Sequence, residues 1–273
     1  MKTDKDEFGN RMKDYELIEV GRRFMPLLPV IARLDGKNFS NWTKDLKRPY
    51  DERMSKVMID TTKWLVGKTG ALTGYTQSDE ISLVYYSESA KSQIFFDGRI
   101  QKMTSVLASM ASVCFNKLVE TTLPGWKIFW AYFDCRAWQV PNKTEAVNAI
   151  LWRELDATKN SVSMAAREYY SHKELQNKNS AQMMDMLMEK GVNWNNYPSF
   201  FKRGTYIQKQ KTMRKFTPEE IESFSLAHEA RRNPDMEVER TFIAELDMPP
   251  LGKVRNRIEV IFEGTIPITE EAK

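Results

Sequence analysis

The chain predicts an α+β fold of ferredoxin-like order, βαββαβ, followed by a helical C-terminal extension. Three observations predict it. Short apolar, partly β-branched segments are bounded by turn residues; two longer segments between them carry apolar residues at helical spacing; and charged, Met-rich helical patterning takes over after Pro141.

"LLPVIARLD" (27–35) reads as a strand ending at Asp35. "DERMSKVMIDTTKWLVGKTG" (51–70) sets Met54, Val57, Met58, Trp64 and Leu65 near helical spacing, with Gly67 and Gly70 as its stop. "ALTGYTQ" and "EISLVYY" are two strands around a turn at Gln77–Asp79. The segment 92–120 predicts one long helix with a buried stripe of Met103, Val106/Leu107, Met110 and Val113/Cys114. After the Leu123-Pro124-Gly125 break, 126–140 returns as one strand, or as two joined at a bend.

The crossover rule places the first strand between the fourth and the third, antiparallel to the third. The end of the first strand then meets the start of the third, so Asp35 and Asp79 should face each other. Alternation sets Arg33 with Asp35 on one face of their strand, and Asp79 with Ile81 and Leu83 on one face of theirs. Glu80 then points the other way, as an orienting group beside the two aspartates. Two helices cover one face of such a sheet, which leaves the other open or covered by later chain.

Residues 144–190 read as helical, with a stripe at Met183, Met184, Met186, Leu187 and Met188. Residues 191–218 read as loop plus one short strand, 217–232 as a helix and 253–264 as a late strand. This divides the chain into one unit over 1–142 and a helical region over 143–273 expected to pack on it.

Composition narrows the chemistry. Of 273 residues, 41% are hydrophobic and 29% charged, and Lys+Arg (41) exceed Asp+Glu (37) by four, a balance that permits polyphosphate or nucleic-acid partners. Two cysteines without a C-x-x-C pair and two histidines argue against a zinc or His-rich centre, and no nucleophile elbow accompanies either histidine. The charged start is no signal peptide, and no apolar run approaches the roughly 18 residues of a membrane helix. The expectation is a reduced, cytoplasmic protein with no membrane partner.

Two carboxylates at a sheet end, with the Gly36 carbonyl nearby, make a hard oxygen donor set that suits Mg²⁺. Two such ions about 4 Å apart serve phosphoryl transfer. "DGKNFSNW" (35–42) offers a tight turn and successive amides for phosphate oxygens, though it is no Walker loop. Arg99 and Lys102, three apart on a helix, could hold a triphosphate tail or merely be a solvated face. Lys190 to Pro218 holds seven Lys/Arg and no Asp/Glu, interleaved with Trp194, Tyr197, Phe200, Phe201, Tyr206 and Phe216. That mixture suits single-stranded RNA, or else a basic loop with some rings in the core.

Several pieces together resemble the tRNA-His guanylyltransferase family, and most nearly its guanylyltransferase-like branch. They are "FGNRMKDYE" (8–16), "RLDGKNFSNW" (33–42), "GYTQSDEISLVYY" (74–86), "RIQKMTSVLAS" (99–109), "FDCRAWQVPN" (133–142), "ILWRELD" (150–156) and "GVNWNNYPSFFKRGTYI" (191–207). The resemblance implies a polymerase-type palm carrying two Mg²⁺, with Asp35 and Asp79 as metal carboxylates and Gly36 as a carbonyl ligand. It implies Lys37, Asn38 and Phe39 amides around the triphosphate, Ser40 in the same nucleotide-contacting turn, and Arg99 and Lys102 on phosphates. Asn195, Asn196, Lys202, Arg203 and Thr205 would contact RNA. ATP or GTP would activate the 5′ end of a tRNA, which the 3′-hydroxyl of an incoming nucleoside triphosphate then attacks. A homotetramer is implied as well.

Three departures stand out. "TKNS" (Thr158–Ser161) replaces a His-Ile-Asn-Asn element, Ser40 sits where His is frequent, and Asn10 replaces an Asp. The first two suit the branch that adds templated nucleotides to 5′-truncated tRNA. Two other readings remain open from the residues: a palm-type nucleotide cyclase, which would not need the basic 190–218 stretch, and an inactive RNA-binding protein.

Overall fold

The structure, a computed structural model, describes residues 4–126 and 129–269. Helix α1 (Asp4–Val20) leads to strand β1 (Val30–Gly36), the four-residue helix α2 (Phe39–Trp42) and helix α3 (Glu52–Thr69). Asp51 caps α3 by accepting from the Arg53 amide, and Gly70 at φ 73° ends it. Strands β2 (Thr73–Gln77) and β3 (Glu80–Tyr85) follow, then helix α4 (Ile100–Thr122), strand β4 (Phe133–Gln139) and helix α5 (Lys143–Ala166). Helices α6 (His172–Leu175), α7 (Ser180–Glu189) and α8 (Ser199–Arg203) precede strand β5 (Thr205–Lys215). The chain closes with α9 (Pro218–Ser223), β6 (Glu237–Leu246) and α10 (Arg257–Glu263).

The strands form one six-stranded sheet in the order β4-β1-β3-β2-β5-β6. The first four are the expected ferredoxin-like set, with β1 antiparallel to both β3 and β4. The region after residue 142, expected to be helical, also extends that same sheet, because β5 pairs with β2 and β6 pairs with β5.

Period-2 alternation sorts the sheet residues between two cores. Val30, Ala32, Leu34, Ile81 and Leu83 pack under α3 and α4 with Met58, Leu65, Met103 and Leu107. Ile31, Tyr75, Val84 and Tyr206 face the opposite way, against Val147 and Ile150 of α5 and Val260, Ile261 and Phe262 of α10. Later chain thus covers the second face, which was one of the two outcomes expected.

Some local expectations hold and several are corrected. The long helix starts at Ile100, not at residue 92, because Phe96, Asp97 and Gly98 all take positive φ (51°, 55° and 63°) and interrupt it. Its buried line is Met103, Leu107, Ala111 and Phe115, spaced by four, whereas Val113 is exposed. The segment 126–140 yields the single strand β4, with Lys127 and Ile128 outside the described residues. Residues 144–190 are three helices, the second and third each starting with a capping box at Ser171 and Asn179. Met183, Met186 and Leu187 of α7 pack inward against Ala165 and Ala166 of α5. Where 191–218 was expected to hold one short strand, β5 runs for 11 residues, and β6 was not expected at all. Residues 217–232 hold only α9 and a short 3-10 turn at Glu229–Arg231. Residues 253–264, read as a strand, contain the helix α10, which ends at Gly264 with φ 80°.

Candidate active site

The sheet end that carries Asp35 opens into a cavity of about 590 Å³. Its walls come from β1, the loop before α3, the β2–β3 turn, α5 and α8. Asp35, Asp79 and Glu80 line it together with Arg33, Lys47, Arg48, Tyr50, Trp152, Arg153, Arg167, Phe200 and Phe201.

The three acids are not equivalent. In the β1–β3 register Asp35 pairs with Glu80, so those two share the α5 face of the sheet. Strict alternation would send Asp79 to the other face. It escapes because it lies in the turn before β3, next to Ser78 at φ 49°, and so joins Asp35 at the cavity. Ser78 Oγ bonds Asp79 Oδ1 at 3.0 Å. Burial pushes the Asp79 carboxyl up, the Ser78 hydrogen bond pulls against it, and the neighbouring charges of Asp35 and Glu80 raise it further. Glu80 is 6% exposed, and both its oxygens accept from Arg153, at 2.7 Å each.

These residues fit a divalent cation. Asp35 and Asp79 supply hard oxygens on one cavity wall, and their mutual repulsion favours a cation between them. The nearest guanidinium to Asp35, that of Arg136, stays at 3.6 Å and also reaches Asp134 at 3.6 Å. No cluster of three or more His, Cys, Asp or Glu suited to a metal occurs among the described residues, so any ion here takes further ligands from backbone, water or phosphate. Glycine is needed at position 36: a Cβ there would meet the Phe39 ring at 2.3 Å.

The predicted nucleotide turn is only partly available. The Lys37 amide already donates to the Tyr132 carbonyl at 2.8 Å. The Phe39 ring is buried against Trp42, Phe115 and Phe133. The backbone of Asn38 (φ 56°), Phe39 and Ser40 opens helix α2, where amides have no intrahelical acceptor. Arg99 and Lys102 do not reach the cavity. The Ile100 amide bonds the Arg22 carbonyl, and Met25 in turn bonds Gln139, the partner of Val30 at the far end of β1. Ser112, three turns further along α4, is the residue beside Phe133 and Gly36. The Lys102 ammonium lies over the Phe96 ring, 4.9 Å from its centroid.

The basic 190–218 stretch divides in space. Its C-terminal half is neutralised by acids from the following 30 residues: Lys211–Glu239 at 2.9 Å, Arg214–Glu220 at 2.7 Å and Lys215–Asp235 at 2.7 Å. Its rings are mostly structural. Tyr206 is buried, Trp194, Tyr197 and Phe201 pack with α5 and α7, and Phe216 meets Phe224 and His228. Lys202 donates to the Asn195 carbonyl at 2.5 Å and lies over Trp194. Arg203 donates to Ser199 Oγ at 3.3 Å, and its carbonyl accepts from the buried Tyr75 hydroxyl. Asn195 and Asn196 are exposed in a 3-10 turn, and Thr205 pairs with Thr76 beside the β2–β3 turn. Gly204 permits this approach, since a Cβ at its φ of 80° would meet the Thr76 carbonyl at 2.6 Å.

Residues that pattern reading had not assigned make up much of the wall. Tyr50 packs on Phe200 and Phe201, with ring centroids 5.2 and 4.8 Å away, and so ties the loop before α3 to α8. Asn160 and Ser161, inside "TKNS", line the cavity, and Ser161 Oγ accepts from the Trp194 indole at 3.2 Å. For Arg33 the signal was present, since period 2 sets it beside Asp35. Lys47, Arg48 and Arg167 had none.

The model of the family described as "Thg1: tRNAHis guanylyltransferase" matches residues 9–141. An uncharacterised protein of Acanthamoeba polyphaga mimivirus is 33% identical over 75% of this chain and 78% of its own length. The tRNA(His) guanylyltransferase of Saccharomyces cerevisiae is 26% identical over 68% of this chain and 84% of its own. A bacterial tRNA(His) guanylyltransferase (Thg1)-like protein solved with ATP matches at TM-score 0.70 and 39% identity, covering 74% of this chain and 89% of that one. Another such structure, with GTP, matches at TM-score 0.72 and 30% identity, covering 94% of this chain and 99% of that one. With the carboxylate pair, the palm-type sheet and these likenesses in agreement, this chain belongs to the tRNAHis guanylyltransferase family.

Proposed function

We propose that the chain is a nucleotidyltransferase that adds nucleotides in the 3′-to-5′ direction to the 5′ end of tRNA. The observation that carries this reading is the convergence of Asp35 and Asp79 on one wall of a cavity whose other walls carry cations and aromatic rings. The reaction has two stages. The 5′-phosphate of the tRNA displaces pyrophosphate from ATP or GTP, giving an activated 5′ end. The 3′-hydroxyl of an incoming nucleoside triphosphate then attacks that 5′ phosphorus, and the nucleoside monophosphate leaves.

Asp35 and Asp79, with the Gly36 carbonyl, would hold two Mg²⁺. When bound, these ions lower the pKa of an attacking hydroxyl and neutralise departing phosphate charge. Arg33, Lys47, Arg48 and Arg167 bring positive charge to the walls for phosphate oxygens. Tyr50, Phe200 and Phe201 shape an apolar wall on which a base can rest. Truncated tRNA, repaired by templated addition, is the preferred substrate in this reading, because "TKNS" brings Asn160 and Ser161 to the cavity in place of the His-Ile-Asn-Asn element. Assembly of four copies belongs to the same proposal; Phe8, Met12, Tyr15, Leu17 and Ile18 of α1 are exposed and offer apolar surface for it. No helix among the described residues is long and apolar enough to cross a membrane.

The test is incubation with 5′-monophosphorylated, 5′-truncated tRNA, ATP, nucleoside triphosphates and Mg²⁺. Growth at the 5′ end is the expected result. Cyclic nucleotide formed from the triphosphate alone, or RNA binding with no product, would overturn the reading.

A further inference from the structure

Arg33 stands in an unusual setting. Among the described residues its guanidinium makes no ion pair; it lies between two indoles, 5.8 Å from the Trp138 ring centroid and 5.4 Å from that of Trp152. Its neighbours across the sheet are Ser82 on β3 and a second arginine, Arg136, on β4. Asp134 on β4 is engaged by Arg136, and Glu80 on β3 by Arg153, so neither strand leaves an acid for Arg33. Cation–π contact holds a guanidinium in place without using its N–H donors. All five donors of Arg33 therefore remain for an anion in the cavity, two residues from Asp35 on the same strand face.

Trp152 is itself held. The Arg153 guanidinium lies 4.7 Å from the Trp152 ring centroid. Glu80 fixes Arg153 through two 2.7 Å hydrogen bonds, and Asp156 adds a contact at 3.2 Å. Trp152 is 54% exposed although it is a large indole, so core packing does not account for its position.

We propose that Glu80, Arg153 and Trp152 form a positioning column that acts through Arg33. Glu80 sets the plane of Arg153, Arg153 sets Trp152, and Trp152 with Trp138 holds the Arg33 guanidinium where it receives a triphosphate oxygen. This inference rests on the phosphate-binding role given to Arg33 above. It makes Glu80 a positioning residue, not a metal ligand, and gives a purpose to an exposed tryptophan on a helix.

The test is a double-mutant cycle on the full-length protein, read as the dissociation constant for inorganic tripolyphosphate with Mg²⁺, which needs no turnover. Arg33→Ala should weaken binding about tenfold, and Trp152→Leu should weaken it roughly three- to tenfold. In the Arg33→Ala background, Trp152→Leu should cost less than about twofold, because its effect has no route left. Trp152→Phe, which restores a ring, should recover most of the loss. Should Trp152→Leu fail to fold, Arg153→Lys replaces it in the cycle: it keeps a charge opposite Glu80 but removes the plane over the indole, and the same collapse of its effect without Arg33 is expected. Equal losses in both backgrounds, no loss from Trp152→Leu, or no tripolyphosphate binding by the wild type would overturn the proposal. Tripolyphosphate binding with the predicted coupling but no growth of the tRNA 5′ end would sink the proposed reaction and leave the column standing.

Discussion

Glu80 and Arg153 form a largely buried, two-pronged ion pair that joins the start of β3 to helix α5, with side chains 8% and 13% exposed. Removing one partner of such a pair strands the other charge away from water. Of its ion pairs Arg153 would keep only the one with Asp156. Glu80→Ala should therefore lower unfolding free energy by about 3 kcal/mol, measured by urea denaturation. Glu80→Gln should cost less, since it retains an acceptor for one of the two donors.

Gly36 admits no side chain without movement, because the Phe39 ring occupies the space where a Cβ would stand. Gly36→Ala must displace either the ring or the strand end. Overpacking of this kind costs about 1–3 kcal/mol. The displacement also moves the Gly36 carbonyl, so a rate of 5′ addition that falls at least about tenfold, beyond what the change in Tm explains, is the expected outcome.

Glu154 supplies the pH dependence. Its Oε2 accepts from the Tyr206 hydroxyl at 2.7 Å, and its Oε1 from the Leu251 amide at 2.8 Å. Burial nevertheless pushes its carboxyl above the ordinary value of 4.5. A group raised in this way takes up its proton more readily folded than unfolded. Its contribution to stability is present below the ordinary value and is lost as pH rises through the raised one. Glu154→Gln removes the charge, keeps an acceptor for the Leu251 amide, and meets the Tyr206 hydroxyl with an N–H that donates in the opposite sense. The stability of wild type relative to this variant should therefore fall as pH rises from the ordinary value of 4.5 through the window in which the folded carboxyl ionises. A constant difference across that window would show that burial does not govern this carboxyl.

The arm formed by β5 and β6 should contribute little to RNA affinity through charge. Lys211 and Lys215 are already paired with Glu239 and Asp235. Changing both lysines to Ala should alter tRNA affinity by less than about twofold and leave its salt dependence nearly unchanged. Arg167→Ala, at the cavity wall, should weaken binding and make the salt slope shallower by about one unit.

The features of the site that the sequence revealed are those that local periodicity controls. Alternation along "VIARLD" sets Arg33 and Asp35 on one face, and the crossover rule puts that strand beside Glu80 and Asp79. What alternation could not show is the left-handed Ser78 in the turn, which turns Asp79 toward Asp35 and leaves Glu80 to Arg153. The basic 190–218 stretch misled because charge was counted along the chain. Its acidic partners, Glu220, Asp235 and Glu239, arrive only after it ends. "KVRNRIEVIFEG" reads as a strand by its alternation, yet Val260, Ile261 and Phe262 complete the core against α5 as a helix. The outer half of β5 and the whole of β6 were hidden because they bury little over a broken apolar pattern, with the Lys211–Glu239 ion pair linking the two strands. Lys47, Arg48, Tyr50 and Arg167 reach the cavity from a loop and a distant helix, where no period links them to Asp35.

The central claim is that Asp35 and Asp79, 44 positions apart in sequence, bind the same divalent ions. Diffraction from crystals grown with GTP and Mn²⁺ tests it most directly, by anomalous scattering at the manganese edge. The account predicts manganese within about 2.5 Å of an oxygen of each carboxylate, with no manganese on Glu80. Manganese bound by Glu80 in place of Asp79, or a GTP-loaded cavity with no manganese touching Asp79, would contradict it.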